Sequence, residues 1–377
     1  MERKERWALV RAFSHEYQRA TKKEKTILLT QLAAMTAYSR KHLMDTLPNP
    51  PHRPRVRRNR PSRYLPAFPI LKTLWAISNY ACGQRLVPMI PVYLTALMRH
   101  EHWRLRKHEK ELLTHVSAAT ADRLLAHERR RISLKGRSRT KPGSLLKHQI
   151  PIRTFADWNE KTPGFLEIDS VHHGGDSAGG VYAWSLDATD VSTGWNECAG
   201  HLGRGEYETL AAMGEIRRRL PFPLKGVDFD TGGEFVNWHF LRWCTREKIT
   251  YTRAREGKKN DQNYVEQQNY SVVRRFVGYA RIEEPWQVRL LNRLYEKLSD
   301  YQNFFQPVMR LKEKVRHGTR LTRRYDKPKT AYQRVREDPT IEHAVKECLR
   351  RRFRRLNPKK LLMEITTLGR KLTQRRR

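Results

Sequence analysis

Phe165-Leu-Glu-Ile-Asp-Ser-Val171 alternates apolar with acidic or polar residues at a period of two, the pattern of a half-buried β-strand. Leu166 and Ile168 fall on one side of such a strand, Glu167 and Asp169 on the other. Downstream, Val181-Tyr-Ala-Trp-Ser-Leu-Asp-Ala-Thr189 and Gly194-Trp-Asn-Glu-Cys-Ala199 read as two further strands, with Gly174-Gly175 and Gly179-Gly180 as turns. An amphipathic helix over 207–220 is stopped by Pro221 and Pro223. A strand over 225–230, a helix over 237–248, a strand over 249–254 and a long helix over 262–281 follow. Three successive strands and then an alternation of helix and strand predict a mixed five-stranded sheet with helices on both faces.

Acids recur at matching places in these elements. Asp169 lies in the first strand, Asp230 opens Asp-Thr-Gly-Gly-Glu-Phe235, and Glu266 lies in Lys258-Lys-Asn-Asp-Gln-Asn-Tyr-Val-Glu-Gln-Gln-Asn269. On a helix, Glu266 and Asn269 share a face. Two strand-borne aspartates and a helical glutamate supply the hard oxygen ligands that a pair of Mg²⁺ ions needs around a phosphodiester. Spacing does not choose between Glu167 and Asp169, or between Asp228 and Asp230. Asp187 and Asp190 are further acids of the second strand and its turn; taken singly, each reads as a solvated surface acid.

The partner follows from charge. The 377 residues carry 76 Lys and Arg against 39 Asp and Glu, a net charge of +37. A chain this basic repels itself unless a polyanion neutralises it, and nucleic acid does so with release of counterions. No apolar run is long enough to span a bilayer, and the charged start Met-Glu-Arg-Lys-Glu-Arg-Trp7 is unlike a secretory signal. Four scattered cysteines without a Cys-x-x-Cys pair, and histidines without finger spacing, predict free thiols in a reducing cytoplasm and no zinc.

Residues 1–47 read as a helix-turn-helix domain. A helix over 25–35 precedes a break at Thr36-Ala-Tyr-Ser39, and a basic helix begins with Arg40 and Lys41, which are expected to touch DNA. Residues 48–65 form a linker of alternating Pro and Arg. Residues 66–131 are helical again, with an apolar stripe of Ile70, Leu71, Leu74, Trp75 and Ile77. They end in a second helix-turn-helix whose last helix, carrying Arg123, starts near a Ser117 or Thr120 cap. A basic linker (132–158), the sheet-bearing core (159–299) and a basic DNA-binding region (300–377), read as a small domain or an arm, complete the expected division.

The three acidic segments together resemble a bacterial insertion-sequence transposase of the DDE class with a retroviral-integrase-type core. The likeness rests on Leu166-Glu-Ile-Asp169, Asp230-Thr-Gly-Gly-Glu-Phe235 and Lys259-Asn-Asp-Gln-Asn-Tyr-Val-Glu-Gln-Gln-Asn269, with thirty-five residues between Asp230 and Glu266. Leu186-Asp-Ala-Thr-Asp-Val-Ser-Thr-Gly-Trp195, Val273-Arg-Arg-Phe-Val-Gly-Tyr279, Asn303-Phe-Phe-Gln-Pro307 and Tyr325-Asp-Lys-Pro328 extend it to about residues 160–335. The resemblance implies a ribonuclease H-like α/β core and two ions, Mg²⁺ or Mn²⁺, held by Asp169, Asp230 and Glu266 as catalytic residues. Lys258, Lys259 and Asn269 are then expected at the DNA. It also implies cleavage at transposon ends and joining of the 3′-hydroxyl to target DNA. The partners would be double-stranded terminal inverted repeats and target, with a homodimer or larger assembly on DNA in the bacterial nucleoid. A non-catalytic DNA-binding regulator and a ribonuclease H-like nuclease without joining activity are the alternatives. The zinc-binding N-terminal module of retroviral integrases is not seen; the two helix-turn-helix units stand in its place.

Overall fold

The computed structural model describes residues 2–50, 62–132, 162–177, 179–229, 238–253, 269–317 and 320–374. They fall into two compact units, one ending at Ser62 and one running from Arg63 to Arg377.

The first unit is three helices: α1 (Arg3–Arg19), α2 (Lys22–Thr36) and α3 (Arg40–Thr46). Val10, Leu29, Leu32, Leu43 and Leu47 form its core. The expected break is built by two local devices. Ala37 takes a left-handed conformation (φ 55°) that stops α2, and the Ser39 hydroxyl accepts from the His42 N–H to start α3. Arg40 and Lys41 are exposed on the first turn of α3.

The second unit begins with α4 (Phe68–Ile77), α5 (Gly83–His100), α6 (Lys107–His115) and α7 (Ala118–Arg131). Of the two cap candidates it is Ser117 that caps α7, accepting from the Thr120 N–H at 3.2 Å. The sheet follows: β1 (Phe165–His172), β2 (Ala183–Asp190), β3 (Asn196–Leu202), α8 (Glu206–Arg219), β4 (Gly226–Phe229), α9 (Trp238–Arg246) and β5 (Thr250–Arg253). Its order is β3-β2-β1-β4-β5. β1, β2 and β3 run antiparallel, and β4 and β5 lie parallel to β1. This is the mixed five-stranded sheet expected from the sequence. A π-helical turn (Asn269–Arg274) leads into a short α10 (Arg275–Val277) and then α11 (Pro285–Phe305). A hairpin, β6 (Leu311–His317) and β7 (Arg320–Tyr325), and three helices, α12 (Ala331–Glu337), α13 (His343–Arg355) and α14 (Pro358–Thr373), close the chain.

The two faces of the sheet differ in chemistry. Leu166, Ile168, Leu186, Ala188, Val227 and Phe229 pack with α8 and α9 in an apolar layer. The opposite face carries Glu167, Asp169, Asp187 and Asp228; α11 packs on it along β3 and reaches β2 where Tyr295 bonds Ser185 at 2.6 Å. Gly200 admits that helix, since a Cβ there would sit 2.7 Å from Leu291. Two asparagines three helical turns apart on α11 complete edge strand β3. Asn292 exchanges hydrogen bonds with the backbone of Gly200 (2.7 and 2.9 Å). Asn303 does the same with Asn196 (2.8 and 2.8 Å).

The division expected from the sequence changes in two respects. The boundary at 299 falls inside α11, an uninterrupted helix opened by Pro285 at its first turn. The segments 66–131, 159–299 and 300–377 share one hydrophobic core, in which α4–α7 and the C-terminal helices meet around α11. Tyr301 donates to the Ile77 carbonyl and Tyr93 to the Phe305 carbonyl, each at 2.6 Å, and Arg85 donates to that of Pro307 at 2.6 Å. The Asn303-Phe-Phe-Gln-Pro307 segment is thus the joint between the three. The C-terminal region, irregular by sequence, is mostly helical because Leu349, Leu361, Ile365 and Leu372 are buried in that core.

Gly369 of α14 lies against the Phe276 carbonyl, where a Cβ would overlap backbone. Gly369→Ala is therefore expected to destabilise this unit by about 2 kcal/mol through overpacking, read as a lower midpoint in urea unfolding.

Candidate active site

β1 carries its two acids to the α11 face but into different surroundings. Glu167 is fully buried, opposite Thr189 of β2 and Asp228 of β4. Asp228 is also fully buried, and its Oδ1 accepts from the Thr252 hydroxyl at 2.6 Å. Asp169, two residues along β1, is half-buried and accepts from the Ser170 N–H at 2.7 Å. Of the two β1 acids, then, Asp169 is the one that reaches solvent.

Directly across from Asp169 in the β1–β2 register stands Asp187. Its Oδ1 accepts from Asn196 Nδ2 at 2.5 Å, and its Oδ2 is buried with no hydrogen-bond partner among the described residues. Burial pushes the Asp187 carboxyl up to about 7, the Asn196 hydrogen bond opposes this, and the Asp169 charge adds to it. Two carboxylates facing each other on one strand pair favour either a shared proton or a cation. The donors here are oxygens, the chemistry that Mg²⁺ prefers.

Asp190 has a different task. It accepts from the Gly164 N–H at 2.8 Å, from the Thr193 N–H at 2.7 Å and from the Thr193 hydroxyl at 2.6 Å, and so builds the β2–β3 turn. The segment Asp190-Val-Ser-Thr-Gly194 of the sequence motif is accordingly a turn that closes on Gly194, whose φ is 75°.

Of the two histidines after Asp169, His173 is fully buried and bonds Ser185 at 2.8 Å, and Ser185 bonds Tyr295 at 2.6 Å. Burial, helped by the Arg274 charge, lowers the His173 imidazole to about 3 from 6.5. The unfolded chain takes up a proton here below about 6.5, whereas the folded chain stays neutral down to about 3. The stability contributed by this group is therefore complete above 6.5 and is lost as pH falls. Between pH 7 and pH 5 the loss is about 2 kcal/mol. His173→Leu is expected to remove that part of the acid sensitivity, seen by comparing urea midpoints of the two proteins at both pH values.

Asp230, Glu266, Lys258 and Lys259 lie outside the described residues, as does the side chain of Asn269; β4 ends at Phe229, the residue before Asp230. Arg123 is exposed on α7, its guanidinium turned back to Thr120 at 3.1 Å and to the Ala119 carbonyl at 3.2 Å. Among the described residues no three His, Cys, Asp or Glu side chains converge as a metal site, and no helix is long and apolar enough to cross a membrane. Sequence reasoning passed over Asp187 as a surface acid. Its signal was the unbroken apolar surround of Leu186 and Ala188, which marks a buried strand.

No family model matches the chain. The uncharacterized protein y4rM of Sinorhizobium fredii (strain NBRC 101917 / NGR234) is 39% identical over 326 residues, 86% of this chain and 93% of that protein. Two solved structures are also similar. The HTLV-2 integrase catalytic core domain, determined in complex with magnesium, shows 16% identity and a TM-score of 0.30, over 39% of this chain and 90% of that one. The catalytic core domain of BIV integrase shows 15% identity and a TM-score of 0.26, over 31% of this chain and 70% of that one.

Proposed function

The chain belongs to the family of the Sinorhizobium fredii protein y4rM, and we propose that it is a DDE-type DNA transposase that cuts transposon ends and joins them to target DNA. One observation carries the reading: a solvent-reaching aspartate, Asp169, on the central strand of the β3-β2-β1-β4-β5 sheet, beside the strand that leads into Asp230. In this reading Asp169, Asp230 and Glu266 hold two Mg²⁺ or Mn²⁺ ions. When bound, such ions polarise the phosphodiester and activate the attacking oxygen.

The chain's own residues do the rest. The Ser170 N–H orients the Asp169 carboxylate. Asp187, across from it in the β1–β2 register, is the buried half of the acidic pair. Water attacks the phosphodiester at the element's end and releases a 3′-hydroxyl. That hydroxyl then attacks a target phosphodiester, so one P–O bond forms as another breaks. The exposed cations Arg40 and Lys41 of α3 and Arg123 of α7 bind duplex DNA, and Lys258, Lys259 and Asn269 approach the backbone near the scissile bond. The substrates are the terminal inverted repeats and target DNA, and a dimer or larger assembly brings two ends together in the bacterial cytoplasm.

The test is a Mg²⁺-dependent strand-transfer assay on the DNA ends flanking the gene. Asp230→Asn and Glu266→Gln are each expected to abolish joined product while DNA affinity is kept. Joining by either variant at the wild-type rate would refute the assignment; sequence-specific binding with no metal-dependent product from the wild type would favour a regulator.

A further inference from the structure

We propose that the β6–β7 hairpin is an arm that lies in the major groove of duplex DNA. The inference rests on the reading of this chain as a DNA-binding protein and adds to it a named element and a groove. Three observations carry it.

Among the described residues the two strands pair with each other alone, apart from the five-stranded sheet. An isolated two-stranded ribbon is marginal in water. This one is held at its root. Val308 and Lys329 exchange backbone hydrogen bonds of 3.0 and 3.2 Å, and the Asp326 N–H donates to the Arg310 carbonyl at 2.9 Å. Asp326 accepts from the Arg310 N–H at 2.7 Å and pairs with Arg334 of α12 at 2.7 Å. The Tyr325-Asp-Lys-Pro328 motif is thus the anchor of the ribbon.

The charge of the ribbon is one-sided. Residues 311–325 hold six Lys and Arg and a single acid, Glu313. Basic residues also meet in the ladder, where the backbone register sets position 314, a lysine, across from position 323, an arginine. Glu313 pairs with Arg324, its partner in the register, at 3.3 Å between exposed groups. A polyanion along the ribbon neutralises this excess of positive charge.

Shape selects the polyanion. A B-DNA major groove, about 12 Å wide, admits a two-stranded ribbon, and the minor groove, about 6 Å wide, does not take one without distortion. The deep, narrow major groove of A-form RNA excludes it. The irregularity between Leu311 and Glu313 adds twist, which helps a ribbon follow a helical groove. Arg316, Thr322, Arg324 and Tyr325 are exposed to meet it.

The experiment uses the full chain and a fluorescent random-sequence DNA duplex of about 40 base pairs, titrated by anisotropy over a range of NaCl. Lys314→Ala, Arg316→Ala, Arg323→Ala and Arg324→Ala are combined; the pair Arg316→Ala with Arg324→Ala, both at exposed positions, serves if the fourfold variant does not fold. Each cation lost from a phosphate should make the slope of log K against log[NaCl] shallower by about 0.9. The fourfold variant is expected to lose at least tenfold in affinity, together with the guanine-N7 methylation interference seen with the wild type. An unchanged slope overturns the proposal. So does a shallower slope with no N7 interference in the wild type, which is contact outside the groove, or an equal loss on double-stranded RNA. All of these readouts are taken in EDTA, where no strand transfer occurs. A failed strand-transfer assay with the ribbon contacts intact would therefore count against the transposase reading alone.

Discussion

Asp169→Asn is expected to lower the rate of Mg²⁺-dependent strand transfer about 10³-fold while leaving DNA affinity intact. The amide keeps the volume of the side chain and its hydrogen bond from Ser170, but loses the negative charge. A metal-bound carboxylate contributes several kcal/mol of charge stabilisation to phosphodiester attack, and about 4 kcal/mol corresponds to that factor. Glu167→Gln is the informative control. Glu167 lies two residues away on the same face but is fully buried beside Asp228, so its effect should appear in stability and little in the joining step. If the Glu167 variant lost joining and the Asp169 variant kept it, the choice of acid on β1 would be reversed. DNA binding measured in EDTA separates this effect from a failure to engage the ends.

Asn303→Leu is expected to cost about 4 kcal/mol of stability. The side chain is fully buried and closes two hydrogen bonds with the backbone of Asn196, as a neighbouring strand would. Leucine is close in volume and leaves a buried N–H and a buried C=O without partners, each costing roughly 1–3 kcal/mol. Asn292→Leu removes the corresponding pair at Gly200, in a less buried place, and should cost less. The two sites are far enough apart for their effects to add within about 0.5 kcal/mol. Urea unfolding of both single variants and the double variant measures this. A double variant no less stable than Asn292→Leu alone would mean that α11 does not close the edge of the sheet.

Much of the core could be read directly. All five strands lie within a few residues of where they were expected; the first is marked by period-two alternation and the next two by the glycine turns between them. The alternation also put Glu167 and Asp169 on a common side. α11 escaped notice although Glu284, Pro285 and Gln287 mark its start, since its polar clamps Asn292 and Asn303 interrupt the apolar stripe. The division into separate helical, sheet and basic segments followed changes in local composition. Those changes say nothing about a core in which Trp75 and Tyr93 meet Tyr301 and Phe305, residues more than two hundred positions away.

Local pattern alone was enough for strand periodicity, helix caps such as Ser39 and Ser117, and the excess of positive charge, because each depends on residues within a few positions. Which acid is sealed and which meets solvent depended on chain folding back from far away. β2 and β4 flank Glu167 on either side, α11 packs along β3, and Asp187 is brought opposite Asp169. Burial and the proton affinity that follows from it are properties of that assembled surround.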